Sequence, residues 1–355
     1  MSHCCCQTNC LCLSVPAKID DTPIVPAKSP SLSLSISLPG LRLPIIPPYT
    51  GVLPTLSQLP KLPLYPPTVV RPQNWNHPGR VGLHVGLHKT LLETVQQAGT
   101  VGARCCQIYL GNKTSYGVRD LSPLEQSATQ QYLLDHQSSL YIHAPLIVNL
   151  GGQIGGNSLN KSMEVLVKEL QAVHDLPASV VVHMGKGNHG CTIEQMGQVV
   201  NHLNLTKGYY PSNPYRLLLE NDAGQGTSLV RSVDDMRKLY EVLDRTVIGL
   251  CLDTQHCFAG GQVHWSDHDT ISYLEAVASA VGRDQIGLIH LNDSDTAFGS
   301  HHDVHANLGQ GHIWSRDNTG FCRLMDWVNQ TDTDVILETN NGYAEAAHLN
   351  RMLLK

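Results

Sequence analysis

Residues 247–261, VIGLCLDTQHCFAGG, show most clearly the pattern that recurs along this chain. The first six residues of this stretch are apolar or glycine, and such an uninterrupted run is typical of a strand that a parallel sheet buries on both faces. The run ends at Asp253, and His256 follows three residues later. The acid and the imidazole form either a local ion pair or part of a metal site, and the stretch by itself leaves both interpretations open.

Seven similar runs accompany this one, so we predict eight buried strands. The eight runs are GLHVGL (82–87), CCQIYL (105–110), SLYIHA (139–144), SVVVHM (179–184), YRLLLEN (215–221), VIGLCLD (247–253), QIGLIHLN (285–292) and DVILETN (334–340). Segments of helical period separate them. In residues 160–176 the apolar stripe consists of Met163, Leu166, Leu170 and Val173. Another helix is predicted to begin after Ser232, an N-cap residue that acids follow.

Eight strand–helix units within residues 78–355 predict an α/β fold, the (β/α)8 or TIM barrel. A doubly wound open sheet is the alternative. That fold usually carries a glycine-rich phosphate loop after its first strand, and the segment HVGLHKT is not such a loop.

Residues 1–77 are predicted to be a separate low-complexity extension, mostly disordered or extended. They hold 14 of the 20 prolines, which break helices and central strands. Five of the eleven cysteines lie in its first twelve residues, at positions 4, 5, 6, 10 and 12. We interpret this cluster as inert, with palmitoylation and metal binding as alternatives.

The bulk properties of the 355 residues narrow the class of function. No apolar run approaches the roughly 18 residues of a membrane span, and no basic residue precedes Lys18, so neither a membrane protein nor a secretory signal is predicted. The six later cysteines lack disulfide-like spacing, which favours a reducing, intracellular setting. A formal charge of -6 argues against binding nucleic acid through simple basic charge.

Metal-ligating residue types end six consecutive predicted strands, from the third to the eighth. In a TIM barrel the C-terminal strand ends form one mouth, which holds the active site. Nine such residues would meet there: His143, His183, Glu220, Asp253, His256, His290, Asp303, His305 and Glu338. A buried charge without a partner costs several kcal/mol, so this concentration of charge predicts bound cations.

Five imidazoles and four carboxylates suit divalent metals, zinc first and manganese next. Nine ligands are too many for one ion and suit two or three. Three divalent cations would raise the formal charge of the chain from -6 to about 0. They would also make the mouth positive, so that an acidic chain binds an anionic substrate there. Clustered divalent ions commonly serve phosphoester hydrolysis.

The motifs LLLENDAGQG, CLDTQHCFAGG, IHLNDSDTAFGSHHDVHANLGQGHI and VILETNN resemble the signature segments of endonuclease IV, the metal-dependent apurinic/apyrimidinic (AP) endonucleases of base excision repair. GLHVGL, YIHAPLIVNLGG and SVVVHMGKGN are similar to earlier segments of that family in the same order. The resemblance covers residues 80–345 and implies a TIM barrel with three zinc ions, with Mn²⁺ as an alternative at one or more sites.

The resemblance also assigns the nine residues to three ligand groups. The first ion would take His143, His183 and Glu220; the second would take Glu220, Asp253, His290 and Glu338; the third would take His256, Asp303 and His305. The catalytic role would fall on Glu220, Asp253 and Glu338.

The implied reaction is hydrolysis of the phosphodiester 5′ to an abasic site in double-stranded DNA, leaving a 3′-hydroxyl and a 5′-deoxyribose phosphate. Trimming of blocked 3′ ends is implied as well. The implied protein is a monomer that needs no membrane. It would work inside the cell where DNA is repaired, in the nucleus, the cytoplasm or a viral factory.

The chain departs from the family pattern in its expected DNA contacts. Thr114, beside Lys113, stands where the family inserts an arginine into DNA. Leu146 and Ile147 replace a tyrosine–leucine pair, and they are either an apolar wedge or plain loop packing. His84 matches a family histidine and would lie beside the ligands or on a DNA phosphate. The missing arginine puts affinity and lesion selectivity in question, rather than the chemistry.

Two other functions stay open. A sugar isomerase or epimerase of the same barrel superfamily uses one or two metals, held mainly by carboxylates, and does not need His256, Asp303 or His305. A catalytically idle DNA-binding relative would have no physical reason to keep nine matched ligands.

Overall fold

The computed structural model describes residues 81–188, 190–205, 215–314 and 319–353. The predicted extension over residues 1–77, with its cysteine cluster, lies outside the described residues.

Eight parallel strands close into a barrel, which confirms the predicted fold. They are β1 (Val81–His84), β2 (Cys105–Ile108), β3 (Ser139–His143), β4 (Ala178–His183), β5 (Leu217–Glu220), β6 (Ile248–Asp253), β7 (Ile286–His290) and β10 (Asp334–Leu337), the short β8 and β9 lying between β7 and β10 in the chain. Consecutive strands are neighbours, and β10 pairs with β1 to close the sheet. Most strands are shorter than their apolar runs; β1, for example, ends at His84 rather than at residue 87.

Helices follow the strands and surround the barrel. Their bounds are α1 (Leu91–Gly99), α2 (Pro123–Asp135), α3 (Asn157–Ala172), α4 (Ile193–Asn201), α5 (Val233–Val242), α6 (Thr254–Ala259), α7 (Asp267–Val281), α8 (Thr319–Thr331) and α9 (Gly342–Leu353). The side chain of Ser232 accepts a hydrogen bond from the Asp235 amide at the start of α5, as predicted. The stripe predicted for α3 is buried against the barrel. Polar caps and apolar stripes therefore fix both the ends and the orientation of these helices.

Side chains from the strands fill the interior of the barrel. Its core includes Tyr141, Tyr215, Cys251 and Leu288, all buried. The Tyr215 ring explains the glycine in VIGLCLD, because a Cβ at Gly249 would lie 2.5 Å from that ring. A second, larger cluster fills the layer between strands and helices. Strands buried on both faces are rigid supports for the residues at their ends.

A two-stranded hairpin, β8 (Asp293–Ser294) and β9 (His305–Ala306), follows β7 and was not predicted. The loop between its strands, residues 295–304, carries Asp303. Asp293 anchors the next loop, because its carboxylate accepts backbone N–H bonds from Gly309, Gly311 and Ile313 at 2.8–3.0 Å. A buried carboxylate that organises loop backbone thus positions this segment over the mouth.

Among the described residues, no helix is both long enough and apolar enough to cross a membrane.

Candidate metal centre

The structure brings all nine predicted ligand residues together at the C-terminal mouth of the barrel. Five of them are the last residues of their strands: His143, His183, Glu220, Asp253 and His290. The other four lie just beyond strand ends or in the hairpin: Glu338, His256, Asp303 and His305. The register of the parallel strands places these last residues at the same height in the barrel, with His183 opposite Glu220 and Asp253 opposite His290. We call these nine residues the ligand cluster.

Glu220 lies at the centre of the ligand cluster. Its Oε2 is 3.2 Å from His143 Nε2 and 4.0 Å from His183 Nε2. Its other oxygen, Oε1, is 2.9 Å from His290 Nδ1. The candidate ligand atoms of Glu220, His143 and His183 all lie within 4.8 Å of one another. One carboxylate therefore faces two sets of imidazoles, as a ligand that bridges two metals must.

A second group surrounds His290, which is completely buried. His290 Nδ1 lies 3.2 Å from Glu338 Oε2 and 3.8 Å from Asp253 Oδ2. Candidate ligand atoms of these three residues and Glu220 lie within 4.8 Å of one another. Three carboxylates and one imidazole at this separation match the donor set of a divalent cation.

The third group lies where the hairpin covers α6. Asp303 Oδ1 is 3.2 Å from His256 Nε2 and 3.1 Å from His305 Nε2. Asp253 also belongs here, since its candidate ligand atom lies within 4.8 Å of those of His256 and His305. Asp253 thus touches the second and third groups, which the sequence had placed on separate ions.

Burial and neighbouring charges set the proton affinities of these groups. Burial alone would raise the pKa of Glu220, yet the nearby His290 and His183 hold it well below its usual value. Burial opposes a charge on His305, but the nearby carboxylates of Asp303, Asp253 and Glu338 raise its pKa to about 9. Neighbouring carboxylates likewise outweigh burial and raise the pKa of His143 and His256, whereas burial lowers that of His183.

The donor atoms fit divalent cations. Glu220 Oε2, His256 Nε2 and His305 Nε2 are buried and make no hydrogen bond within the described residues, although a buried polar atom left unpaired costs about 1–3 kcal/mol. The Nδ1 atoms of His143 and His256 lie 2.7 and 2.8 Å from backbone carbonyl oxygens. A carbonyl only accepts, so Nδ1 of each ring carries a proton, and Nε2 is the atom through which each imidazole could bind a metal.

Three amide side chains that the sequence analysis missed hold the ligands in place. The Gln107 amide contacts His84, Glu338 and His290 at 3.1, 2.6 and 2.9 Å. Asn292 donates to Asp253 at 2.7 Å and to Glu338 at 3.2 Å. Asn221 accepts from the Asp253 amide. Each of these amides lies within an apolar run or at its end. A polar residue at such a place was the feature of the sequence that could have identified them.

Tyr109 and His84 line one side of the mouth. Their ring centroids lie 4.6 Å apart, and Tyr109 lies 5.1 Å from His143. His84 Nδ1 is 3.7 Å from Glu338 Oε1. Burial, with Glu338 nearby, raises the pKa of the Tyr109 hydroxyl, so it is a neutral donor at neutral pH. The sequence analysis had included His84 but not Tyr109.

Two cavities open from the ligand cluster, and Leu146 lines both. One, of about 320 Å³, is lined by Lys113, Tyr109 and seven of the nine cluster residues. The other, of about 340 Å³, is lined by Ile147, Lys186 and three cluster residues. Leu146 is 47% exposed, so its side chain projects from the loop rather than filling a core. Thr114 lines neither cavity, and its hydroxyl bonds Asn112 Oδ1 at 2.9 Å.

Comparison with protein families matches residues 95–353 to the xylose isomerase-like TIM barrel family. "Probable endonuclease 4" of Streptomyces avermitilis is 31% identical over 299 residues, which are 82% of this chain and 92% of that protein. "Probable endonuclease 4" of Streptomyces coelicolor is 30% identical over 77% of this chain and 94% of its own length.

The crystal structure of endonuclease IV from Thermus thermophilus superimposes with a TM-score of 0.65 at 29% identity. The match covers 78% of this chain and 98% of the Thermus chain. The similarity therefore extends over nearly the whole of these relatives rather than over one shared motif.

Proposed function

This chain belongs to the endonuclease IV family of xylose isomerase-like TIM barrels, and on that premise we propose that it is an AP endonuclease of DNA base excision repair. It would hydrolyse the phosphodiester 5′ to an abasic site, leaving a 3′-hydroxyl and a 5′-deoxyribose phosphate, and would also trim blocked 3′ ends. The observation that carries the proposal is the ligand cluster: nine imidazoles and carboxylates that meet in one mouth, with Glu220 common to two of the three proposed ligand groups.

The proposed cofactors are three Zn²⁺ ions, with Mn²⁺ as an alternative at one or more sites. The three ligand groups would be His143, His183 and Glu220; Glu220, Asp253, His290 and Glu338; and His256, Asp303 and His305. Bound divalent cations supply an activated water and stabilise the charge that develops on phosphate oxygens. The buried donor atoms of Glu220, His256 and His305, which make no hydrogen bond within the described residues, support this assignment.

The chain's own residues would preorganise the mouth. Glu220 and Glu338 are ionised at neutral pH, because the neighbouring imidazoles hold their pKa values well below the usual range against the effect of burial. Asn292 fixes Asp253 and Glu338 relative to each other. We assign the catalytic role to Glu220, Asp253 and Glu338, which face one another across His290.

The proposed DNA contacts are His84, Lys113, Thr114, Leu146 and Ile147. Leu146 is suited to act as an apolar wedge, because it projects between the two cavities. An inserted apolar side chain can fill the space of a displaced nucleotide. Thr114 is a weaker candidate, since it is exposed but lines neither cavity.

We propose that residues 78–355 form the domain that carries the activity. Residues 1–77, the Pro-rich extension, would be a separate segment. One chain supplies all nine candidate ligands, which supports a monomeric enzyme. The proposed site of action is intracellular, wherever DNA is repaired.

The test is incubation of metal-replete protein with a duplex that contains one abasic analogue. We expect cleavage 5′ to the lesion, slow loss of cleavage with a chelator, and recovery with zinc or manganese. An uncut duplex would refute the proposed function. Substituting His256 and His305 by alanine discriminates the sugar-isomerase alternative: activity on a sugar that survives both substitutions, with none on DNA, would support an isomerase.

A further inference from the structure

Lys186 is a cation of the mouth that is outside the ligand cluster. It follows β4 and lines the 340 Å³ cavity, which His183, His256 and Asp303 of the ligand cluster also line. The residue is exposed, and its ammonium makes no ion pair with any carboxylate in the described part of the chain. A positive charge in a concave site without a protein partner is suited to an anionic ligand.

The backbone of Lys186 is held from both sides. Its N–H donates to Asn149 Oδ1 of the β3 loop at 2.8 Å. On the other side it forms an antiparallel bridge with Ser228 of the β5 loop. Gly185, at φ +93°, makes the turn that places it there. The base of the side chain is therefore fixed, so less ordering entropy opposes ligand binding.

The acids of this cavity already have other partners. Asp222 Oδ1 accepts hydrogen bonds from the Gly224 amide and the Ser228 hydroxyl. Asp303 contacts His256 and His305. Neither carboxylate is paired with Lys186, so its charge is available to a ligand. The remaining wall is partly apolar, with Ile147 and Val148. A cation beside an apolar wall suits a sugar–phosphate unit.

Lys113 has the corresponding position in the other cavity. Lys113 lines the 320 Å³ cavity, and its carbonyl accepts a hydrogen bond from the Leu146 amide at 2.8 Å. Leu146 thus lies between two cavities, each with one lysine. This arrangement matches a strand whose phosphates pass on both sides of a displaced nucleotide.

We propose that Lys186 binds a backbone phosphate of the damaged strand next to the scissile bond. With Lys113, it fixes which phosphodiester reaches the ligand cluster. Lys186 is then a positioning residue for DNA. The proposal rests on the proposed endonuclease function and adds a phosphate site to it.

The experiment uses metal-replete protein and duplexes with one abasic analogue, in which single phosphates near the lesion are replaced by neutral methylphosphonates. We expect wild-type affinity to fall about tenfold at one position beside the scissile bond. Lys186→Gln should bind the unmodified duplex about tenfold more weakly and be insensitive at that position alone. The slope of log K against log salt should also fall by about 1.

Two variants serve as controls. Lys168→Gln removes the same charge from the exposed face of α3 and should leave the scan and the salt slope unchanged. Lys186→Arg keeps the charge and should restore sensitivity at the same phosphate. If Lys186→Gln keeps the wild-type methylphosphonate profile and salt slope, the Lys186 assignment is wrong. If wild-type protein leaves the abasic duplex uncut, the endonuclease proposal itself fails, so the two failures are distinguishable.

Discussion

The ligand cluster and the loops above it are built from two different kinds of structure. Five cluster residues end buried barrel strands, and Asp253 and His290 have no exposed surface. The rim, which we define as Lys113, Leu146, Ile147 and Lys186, lies on loops and is more exposed. The sequence analysis expects the cluster to follow the family pattern, and it expects the rim to depart from that pattern at Leu146 and Ile147. Strand ends in a close-packed barrel tolerate little change, while loops accept it readily.

Because of this structural difference, substitutions in the ligand cluster and in the rim are expected to change different properties of the protein. A ligand that is displaced by a fraction of an ångström changes the metal site, and the barrel prevents that displacement through ladder register and amides such as Gln107 and Asn292. If the rim binds DNA as proposed, each rim residue makes one of many contacts with a long polymer, and the loss of one contact leaves the others in place. We therefore expect substitutions in the cluster to affect turnover and those in the rim to affect binding.

The largest effect is expected at Glu220, which belongs to two ligand groups. Glu220→Gln keeps the shape but removes the buried charge that faces His143 and His290. Breaking a buried charge pair costs about 3–5 kcal/mol, which corresponds to roughly 10²- to 10⁴-fold in rate. Turnover on an abasic duplex and metal content by mass spectrometry are the measurements. Full metal content with unchanged turnover would remove Glu220 from the centre of the site.

An intermediate effect is expected at Asn292, which positions ligands without belonging to the cluster. Asn292→Ala should weaken metal affinity or turnover about 10- to 100-fold, as loss of such supporting hydrogen bonds usually does. Asn350→Ala is the matched control, because Asn350 is also buried but bonds the Val81 carbonyl at the beginning of β1. The control should lower the melting temperature and leave metal affinity unchanged. Equal metal loss in both variants would show that the Asn292 effect is general destabilisation.

Metal-free protein offers a pH test of the cluster. Burial disfavours a charged His305, but Asp303, Asp253 and Glu338 raise its folded-state pKa to about 9, above the unfolded value of about 6.5. Its contribution to stability is fully present below pH 6.5 and is lost as pH rises to 9 and beyond. Calorimetry of chelator-treated protein should show a falling melting temperature over that window. His305→Gln should flatten the fall, and a slope that this variant leaves unchanged would assign the effect to other groups.

The residues of the ligand cluster could be predicted from the sequence, whereas the hairpin and the amides beside the cluster could not, and the reasons are physical. Ligands such as Asp253 stand at the ends of apolar runs, and strand ends of a closed barrel must converge, so fold and site follow from one pattern. The hairpin of β8 and β9 did not follow, because two-residue strands leave no periodicity. Gln107 and Asn292 act through hydrogen bonds to residues far along the chain. Asp253 lies near two ligand groups, and this also depends on distances in space that the spacing of residues along the sequence does not give.

The smallest effect is expected at the rim, where Leu146→Ala removes an apolar side chain that is 47% exposed. Stability should change by less than about 0.5 kcal/mol, since little of the side chain is in the core. If Leu146 is a wedge, DNA binding buries it, and its truncation should weaken affinity for the abasic duplex about tenfold with turnover at saturation nearly unchanged. Ile271→Ala on α7, 38% exposed and outside both cavities, is the matched control. Equal affinities of the two variants would assign Leu146 to loop packing, and the rim would then recognise DNA through its lysines alone.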